Sequence, residues 1–348
     1  MAINGPQRLI IRHCGNAHRY YCRHLVERHG FTDLCRYEYD PGDKSKAAHF
    51  MDAGGDLLFA LQHLRVLQAA THIVAIGPTA AAVSVLHRLG FLRSGVRLWW
   101  LGFFVHSPRW LRRLRLAFRI LNSPHLQFIV FSQYERSLYV DALGLRSEQL
   151  HYVPYGDMNP KQSVADVERA QVLTQGMRDY FFSGGDTSRD YKSLIKAFRH
   201  LPYPLVIVCG ARNGDVPRTG LPPNVKVFRE VAFEVFEGLA QCAMACIVPI
   251  GYDTGAAGQS VCLSHMRQGK LIIATDTRVI REYVQDGLSG ILVRDNRESL
   301  AKAVRMVAMN PAQYQKLGEV ARREYLRRFA AGAIAERLSD LVDHAMAS

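Results

Sequence analysis

Apolar residues in this chain come in short consecutive runs, each followed by a segment with helical spacing. RLIIRH (Arg8 to His13), THIVAIG (Thr71 to Gly77), VRLWWLGFF (Val96 to Phe104) and LQFIVFS (Leu126 to Ser132) are apolar at adjacent rather than alternate positions. That pattern predicts strands buried on both faces. A helix is predicted from about Ala17 to Arg28 and another in QYERSLYVDALG, and LHYVPYG closes this half. NPKQSVADVERAQVLTQGMRD, after Asp157, is polar and carries no strand, so it reads as the link between two domains. The alternation then restarts with YFFSGG, LVIVCG, VKVFRE, ACIVPI and LIIATD as strands, with SLIKAFRHL and VFEGLAQCA as helices between them and a helical C-terminus. Strands alternating with helices predict an α/β fold of two doubly wound units, over residues 1–160 and 161–329. Sheets of this kind take ligands beyond the carboxyl ends of their strands.

Composition narrows the setting. Of 348 residues, 48% are hydrophobic and 22% charged, which is globular. No apolar run reaches the roughly 18 residues of a membrane span. The first residues, MAINGPQRLIIRHCG, lack the layout of a secretory signal, so a cytoplasmic protein is expected. Cysteines stand at 14, 22, 35, 209, 242, 246 and 262 with no CxxC pair, which predicts reduced thiols and no metal centre. The formal charge of +13 fits nucleic acid, an anionic membrane surface or a phosphorylated substrate. No nucleic-acid-binding module accompanies it, so nucleic acid is not expected as a partner.

Three stretches carry candidate chemistry. FSGGDTSRDYKSLIKAF puts Gly184 and Gly185 directly after a strand, with Arg189 and Lys192 at the start of the next helix. Backbone N–H groups, a helix N-terminus and a guanidinium together suit a phosphate; a plain strand-loop-helix connection gives the same letters. AAGQS leaves a bare backbone around Gly258, with Gln259 and Ser260 opening a helix. This is either a second anion-facing turn or a close-packed helix start. SPRWLRRLRLAFRIL spaces Trp110, Leu111, Leu114, Phe118 and Leu121 helically among Arg112, Arg113, Arg115 and Arg119. Such a helix either lies in an anionic membrane interface or faces the core with solvated arginines. No GxGxxG follows the first strand, which disfavours a dinucleotide-dependent enzyme.

In order along the chain, SGGDTSRDYKSLIKAF, LVIVCG, VKVF, ACIVPI, GAAGQSVCLSHMRQGKLIIATDT and REYVQDGLSGILV resemble the nucleotide-binding domain of GT-B glycosyltransferases, in the retaining group known as family 4. FFVH, FIVFSQYERSLYVDALGL and YVPYGD resemble that family's first domain. The resemblance implies two Rossmann-like domains facing a central cleft, with a final helix at about 330–348 packing back on the first. It implies transfer of a sugar from a nucleoside diphosphate sugar to a hydroxyl of a glycan or lipid-linked acceptor. That transfer would take place at the cytoplasmic face of the membrane, with no cofactor beyond the donor and no metal. Gly184, Gly185, Arg189, Lys192, Gly258, Gln259 and Ser260 would surround the diphosphate, and Ser264 and Glu282 the donor sugar or ribose. Gly15, Asn16, His18 and Arg19 would face the acceptor, and His106 would be the catalytic histidine. Trp110, Arg112, Arg113, Arg115 and Phe118 would dock the membrane. The family's two glutamates fall on Ala256 and Ser264, neither of which is a carboxylate. A nucleotide-sugar epimerase of the same fold, or a non-catalytic glycan- or nucleotide-binding relative, is therefore the alternative.

Overall fold

A computed structural model describes residues 7–14, 19–37, 53–102, 108–156, 165–210, 212–251 and 257–347. The chain divides into two compact units, Met1–Pro160 with Ala331–Ser348, and Lys161–Ala330.

The first unit runs β1 (Gln7–Cys14), α1 (Arg19–His29), β2 (Phe31–Tyr37), α2 (Ala53–Gln62), α3 (Leu64–Ala69), β3 (Ala70–Ile76) and α4 (Pro78–Arg88). It continues with β4 (Arg97–Leu101), α5 (Pro108–Leu121), β5 (Leu126–Val130), α6 (Gln133–Leu143) and β6 (Leu150–Tyr152). Its sheet is parallel throughout, in the order β2-β1-β3-β4-β5-β6. Both faces are covered. Leu9, Ile11, Ile73, Trp100 and Phe128 belong to one buried cluster, while Ile10, Val74, Trp99 and Ile129 belong to another. This two-sided burial is why the central strands read as unbroken apolar runs. β2 did not stand out in the sequence because it is an edge strand, FTDLCRY, with Thr32 and Asp33 exposed. Arg12 of β1 reaches across to it and donates to Asp33 Oδ1 at 2.8 Å.

The second unit runs α7 (Val167–Thr174), β7 (Phe181–Gly185), α8 (Tyr191–Phe198), β8 (Leu205–Cys209), β9 (Val225–Arg229) and α9 (Phe233–Cys242). β10 (Ala245–Val248), α10 (Gln259–Arg267), β11 (Ile272–Thr275), β12 (Ile291–Val293), α11 (Glu298–Met309) and α12 (Pro311–Arg328) complete it. The sheet is again parallel, in the order β12-β11-β10-β7-β8-β9. Part of the polar stretch read as a link is α7. Asp166 caps it by accepting from Arg169 N at 3.0 Å, and Ala170 is buried in the cluster that Val235 and Leu239 of α9 line. Gly238 makes that contact possible, since a Cβ there would lie 2.3 Å from the Asp166 carbonyl oxygen.

The last helix, α13 (Ala331–Ala347), belongs to the first unit. Ile334, Leu338 and Val342 are buried with Tyr21 and Leu25 of α1, and Asp343 pairs with Arg8 at 2.7 Å. Full burial of an aliphatic side chain contributes roughly 1.5–3 kcal/mol, so the three anchor this helix firmly.

Candidate functional site

In a doubly wound sheet the ligand crevice opens where successive connections leave in opposite directions. In the second unit that point lies between β7 and β10, which are adjacent in the sheet though far apart in sequence. Two glycines end β7. Gly184 is squeezed by Phe236, whose Cε2 would lie 2.1 Å from a Cβ at this position. Gly185 has φ +120°, and a Cβ there would meet Arg189 Nη2 at 2.7 Å. The bare backbone thus makes room for an arginine lying directly on it.

Arg189 is held by carbonyl oxygens alone. Its Nη1 donates to Thr187 O at 2.7 Å and its Nε to Gly184 O at 3.3 Å. Among the described residues no carboxylate pairs with it. Burial pushes its pKa down, yet a guanidinium stays charged. The residue also ties the turn to the segment after β10. Arg189 and Ile250 form an antiparallel bridge, Asp190 N donates to Pro249 O at 3.0 Å, and Gly251 N donates to Ser188 O at 3.0 Å.

The start of α10 comes to the same place. Gly258 is the N-cap residue, with φ +92° and no capping side chain. A Cβ on Gly258 would lie 3.0 Å from both Ile250 Cδ1 and Ile280 Cδ1, so the helix start is close-packed. Gln259 is only 5% exposed, and its Nε2 has no hydrogen-bond partner. A buried amide without a partner costs about 1–3 kcal/mol. An unpaired guanidinium, an uncapped helix N-terminus and an unsatisfied amide thus gather around Ile250. An anion would satisfy the cation and the helix end, and a ligand acceptor oxygen would satisfy the amide.

Lys192, Ser264 and Glu282 each have a partner of their own. Lys192 is exposed and lies 3.5 Å from Asp215. Ser264 donates to Glu237 of α9, a carboxylate that Arg267 and Gln268 also hold. Glu282 closes a short turn after β11, where its carbonyl accepts from Arg328 at 3.0 Å. Gly15, Asn16, His18 and His106 lie outside the described residues, and Arg19 opens α1. On α5, Trp110 is 53% exposed beside Arg112, Arg113 and Arg115, and the Arg113 guanidinium sits 5.3 Å over the Trp110 ring. Phe118 is not a docking residue. It is buried against Trp100 and Phe128, because the stripe it shares with Leu111 faces the core. The exposed apolar residues of α5 are instead Trp110, Leu116 and Ile120.

Two features had no sequence signal. Asn296, before α11, donates to Ile250 O at 2.9 Å and to Asp190 Oδ2 at 3.3 Å. It accepts from Thr275 Oγ1 at 2.6 Å, and Thr275 in turn accepts from Ile250 N at 2.8 Å. This buried network clamps the two turns together. His265, behind them, is fully buried between Phe182 and Phe236, and neither ring nitrogen has a partner. Burial, then the nearby charges of Arg189, Lys270 and Arg267, push its pKa down to about 3. Among the described residues, no group of three or more His, Cys, Asp or Glu side chains could hold a metal ion. No described helix is long and apolar enough to cross a membrane.

Residues 182–310 match the family described as glycosyl transferases group 1. HepE of Anabaena, solved in complex with UDP and glucose, is similar over 98% of this chain and 100% of its own, at 16% identity and a TM-score of 0.71. Sucrose-phosphate synthase of Thermosynechococcus elongatus is similar over 98% of this chain and 99% of its own, at 17% identity and a TM-score of 0.73. A glycosyltransferase from Rickettsia africae is similar over 97% of this chain and 98% of its own, at 10% identity and a TM-score of 0.68. No curated protein matched. At these identities the likeness is one of architecture: the two doubly wound units are those of the GT-B fold.

Proposed function

We propose that this protein is a glycosyltransferase that takes a sugar from a nucleoside diphosphate sugar. The observation that carries the proposal is Arg189, a charged group with no carboxylate partner among the described residues, beside the uncapped start of α10. Charge builds on the diphosphate as the glycosidic bond breaks. A fixed cation and a helix N-terminus stabilise that charge in the transition state more than in the ground state. In this reading they do so without a metal ion, Gln259 donates to the donor, and Asn296 keeps the two turns at a constant spacing. Glu282 stays on the donor side of the site. The match of residues 182–310 to group 1 glycosyltransferases and the UDP and glucose bound by HepE support UDP-glucose as the first donor to test.

The acceptor in this proposal is a hydroxyl of a glycan or lipid-linked oligosaccharide on the first unit. Gly15, Asn16, His18 and Arg19 are assigned to the acceptor side, and His106 to orienting the acceptor or moving its proton. α5 docks on the anionic cytoplasmic face of a membrane through Trp110, Leu116 and Ile120 with the surrounding arginines. Exposed aromatic and aliphatic side chains among arginines support that reading.

Calorimetry with UDP-, GDP- and ADP-glucose tests the donor assignment, and failure to bind any nucleoside diphosphate sugar rejects it. One observation favours a second reading, a binding protein without catalysis. The Ser264 hydroxyl, at one of the two positions where the resembling family has glutamates, is committed to Glu237. Donor hydrolysis and transfer assays separate the two, because a pure binder gives affinity without turnover.

A further inference from the structure

The second unit has another concavity, away from the glycine turns, between α8 and α11. It is an open groove of about 710 Å³, within the roughly 300–1,000 Å³ of small-molecule sites. Lys196 and Arg199 enter it from α8 and its C-terminus, and Arg297 and Arg305 from the start and body of α11. Among the described residues, none of these four side chains has an ion-pair or hydrogen-bond partner. Two carboxylates face them. Asp295 is committed to the start of α11, where Oδ1 accepts from Arg297 N at 2.8 Å and Oδ2 from Ser299 Oγ at 2.9 Å. Glu298 is the other. Ala197 and Ala301 line the groove and leave its middle open, and His200 stands at its edge.

Four exposed cations against two carboxylates leave the groove with an excess of positive charge. A hollow with one dominant sign of charge concentrates counter-ions, and guanidinium groups grip phosphate oxygens in pairs. The charges line one groove between two helices rather than running along a stripe, which favours a compact ligand over a long polyanion. We infer that this groove binds a phosphate-bearing small molecule, at a site separate from the glycine turns. The inference does not depend on the donor assignment, because Gly185, Arg189 and Gly258 take no part in the groove.

Inorganic pyrophosphate is the probe, titrated calorimetrically into the full chain at 150 mM salt. The wild-type protein and Arg189→Ala are expected to share one binding event, and Arg199→Ser/Arg305→Ser in the Arg189→Ala background weakens that event at least tenfold. Both residues are exposed, so the folded state is expected to survive, and thermal melting checks this. UDP affinity of the Arg199→Ser/Arg305→Ser variant stays within twofold of wild type. No pyrophosphate binding to Arg189→Ala overturns the proposal, as does binding that the groove substitutions leave within twofold. Parallel loss of UDP and pyrophosphate binding in the groove variant also overturns it, because both anions would then share one site. Failure of UDP to bind any variant rejects the donor reading alone.

Discussion

Arg12 in the first unit and Arg189 in the second show how differently the two sheets use a buried cation. Each guanidinium lies at or just past the carboxyl end of the strand that opens its sheet's switch point, and both are largely covered by protein. Arg12 meets Asp33 on the neighbouring strand with both arms. Burial works against its charge, but the hydrogen bonds and the charge of Asp33 outweigh burial, and its pKa rises. Arg189 meets only carbonyl oxygens, burial dominates, and its pKa falls. Arg12 thus has a carboxylate partner within the fold, and among the described residues Arg189 has none. Arg189 is half-buried and lies beside an uncapped helix start, and the anion proposed above would be its counter-ion.

The comparison can be broken most forcefully at Asp33. Asp33→Asn takes the carboxylate away from Arg12, and a hydrogen bond to a charged group is worth about 1.5–3 kcal/mol. Urea unfolding should show that loss, whereas a change under 1 kcal/mol would make Arg12 no more satisfied than Arg189. The converse substitution, Arg189→Met, should leave the stability of the ligand-free protein within about 1 kcal/mol of wild type. It should weaken UDP binding about a hundredfold, the equivalent of about 2.7 kcal/mol, while uridine binding changes less than threefold. Equal losses for UDP and uridine would remove Arg189 from the diphosphate.

Exposed cations give a third point of reference. Arg112→Gln/Arg115→Gln on α5 should reduce partitioning to vesicles containing phosphatidylserine by about 2 kcal/mol, at about 1 kcal/mol per arginine. Unfolding in urea should be unchanged, and unchanged flotation would dispose of the docking role. The smallest effect, counted per pH unit, concerns His265, whose burial keeps it neutral. The unfolded chain takes up a proton below its ordinary pKa of about 6.5 while the folded chain does not until about pH 3. Stability should therefore fall on acidification across that window, by about 1.4 kcal/mol per pH unit from this group. His265→Phe, filling the slot between Phe182 and Phe236, should remove that increment from the pH dependence of urea unfolding.

Much of the architecture was legible because buried parallel strands announce themselves. RLIIRH, THIVAIG and LVIVCG are apolar at adjacent positions, and only burial on both faces asks for that. β2 and β12 were not legible. One is an amphipathic edge strand and the other spans only Ile291–Val293, too short for periodicity to register. α7 hid in polar sequence because only one face of it is covered by α9. At the candidate site, the glycine turns and Arg189 could be read from their order in the chain. Their partners could not, because Ile250, Thr275 and Asn296 are ordinary letters whose use depends on what stands across from them.

The sequence by itself determined two doubly wound units, a bare turn after β7, a bare helix start at Gly258 and a basic helix at α5. Those are local properties, set by run length, glycine and charge spacing. Only the tertiary structure decided which cations are satisfied. It paired Arg12 with Asp33, left Arg189 on the backbone of Gly185, drew Lys192 to Asp215 and Ser264 to Glu237, and turned Phe118 inward. Ion pairs and burial are set by distance in space, and folding brings together residues far apart along the chain.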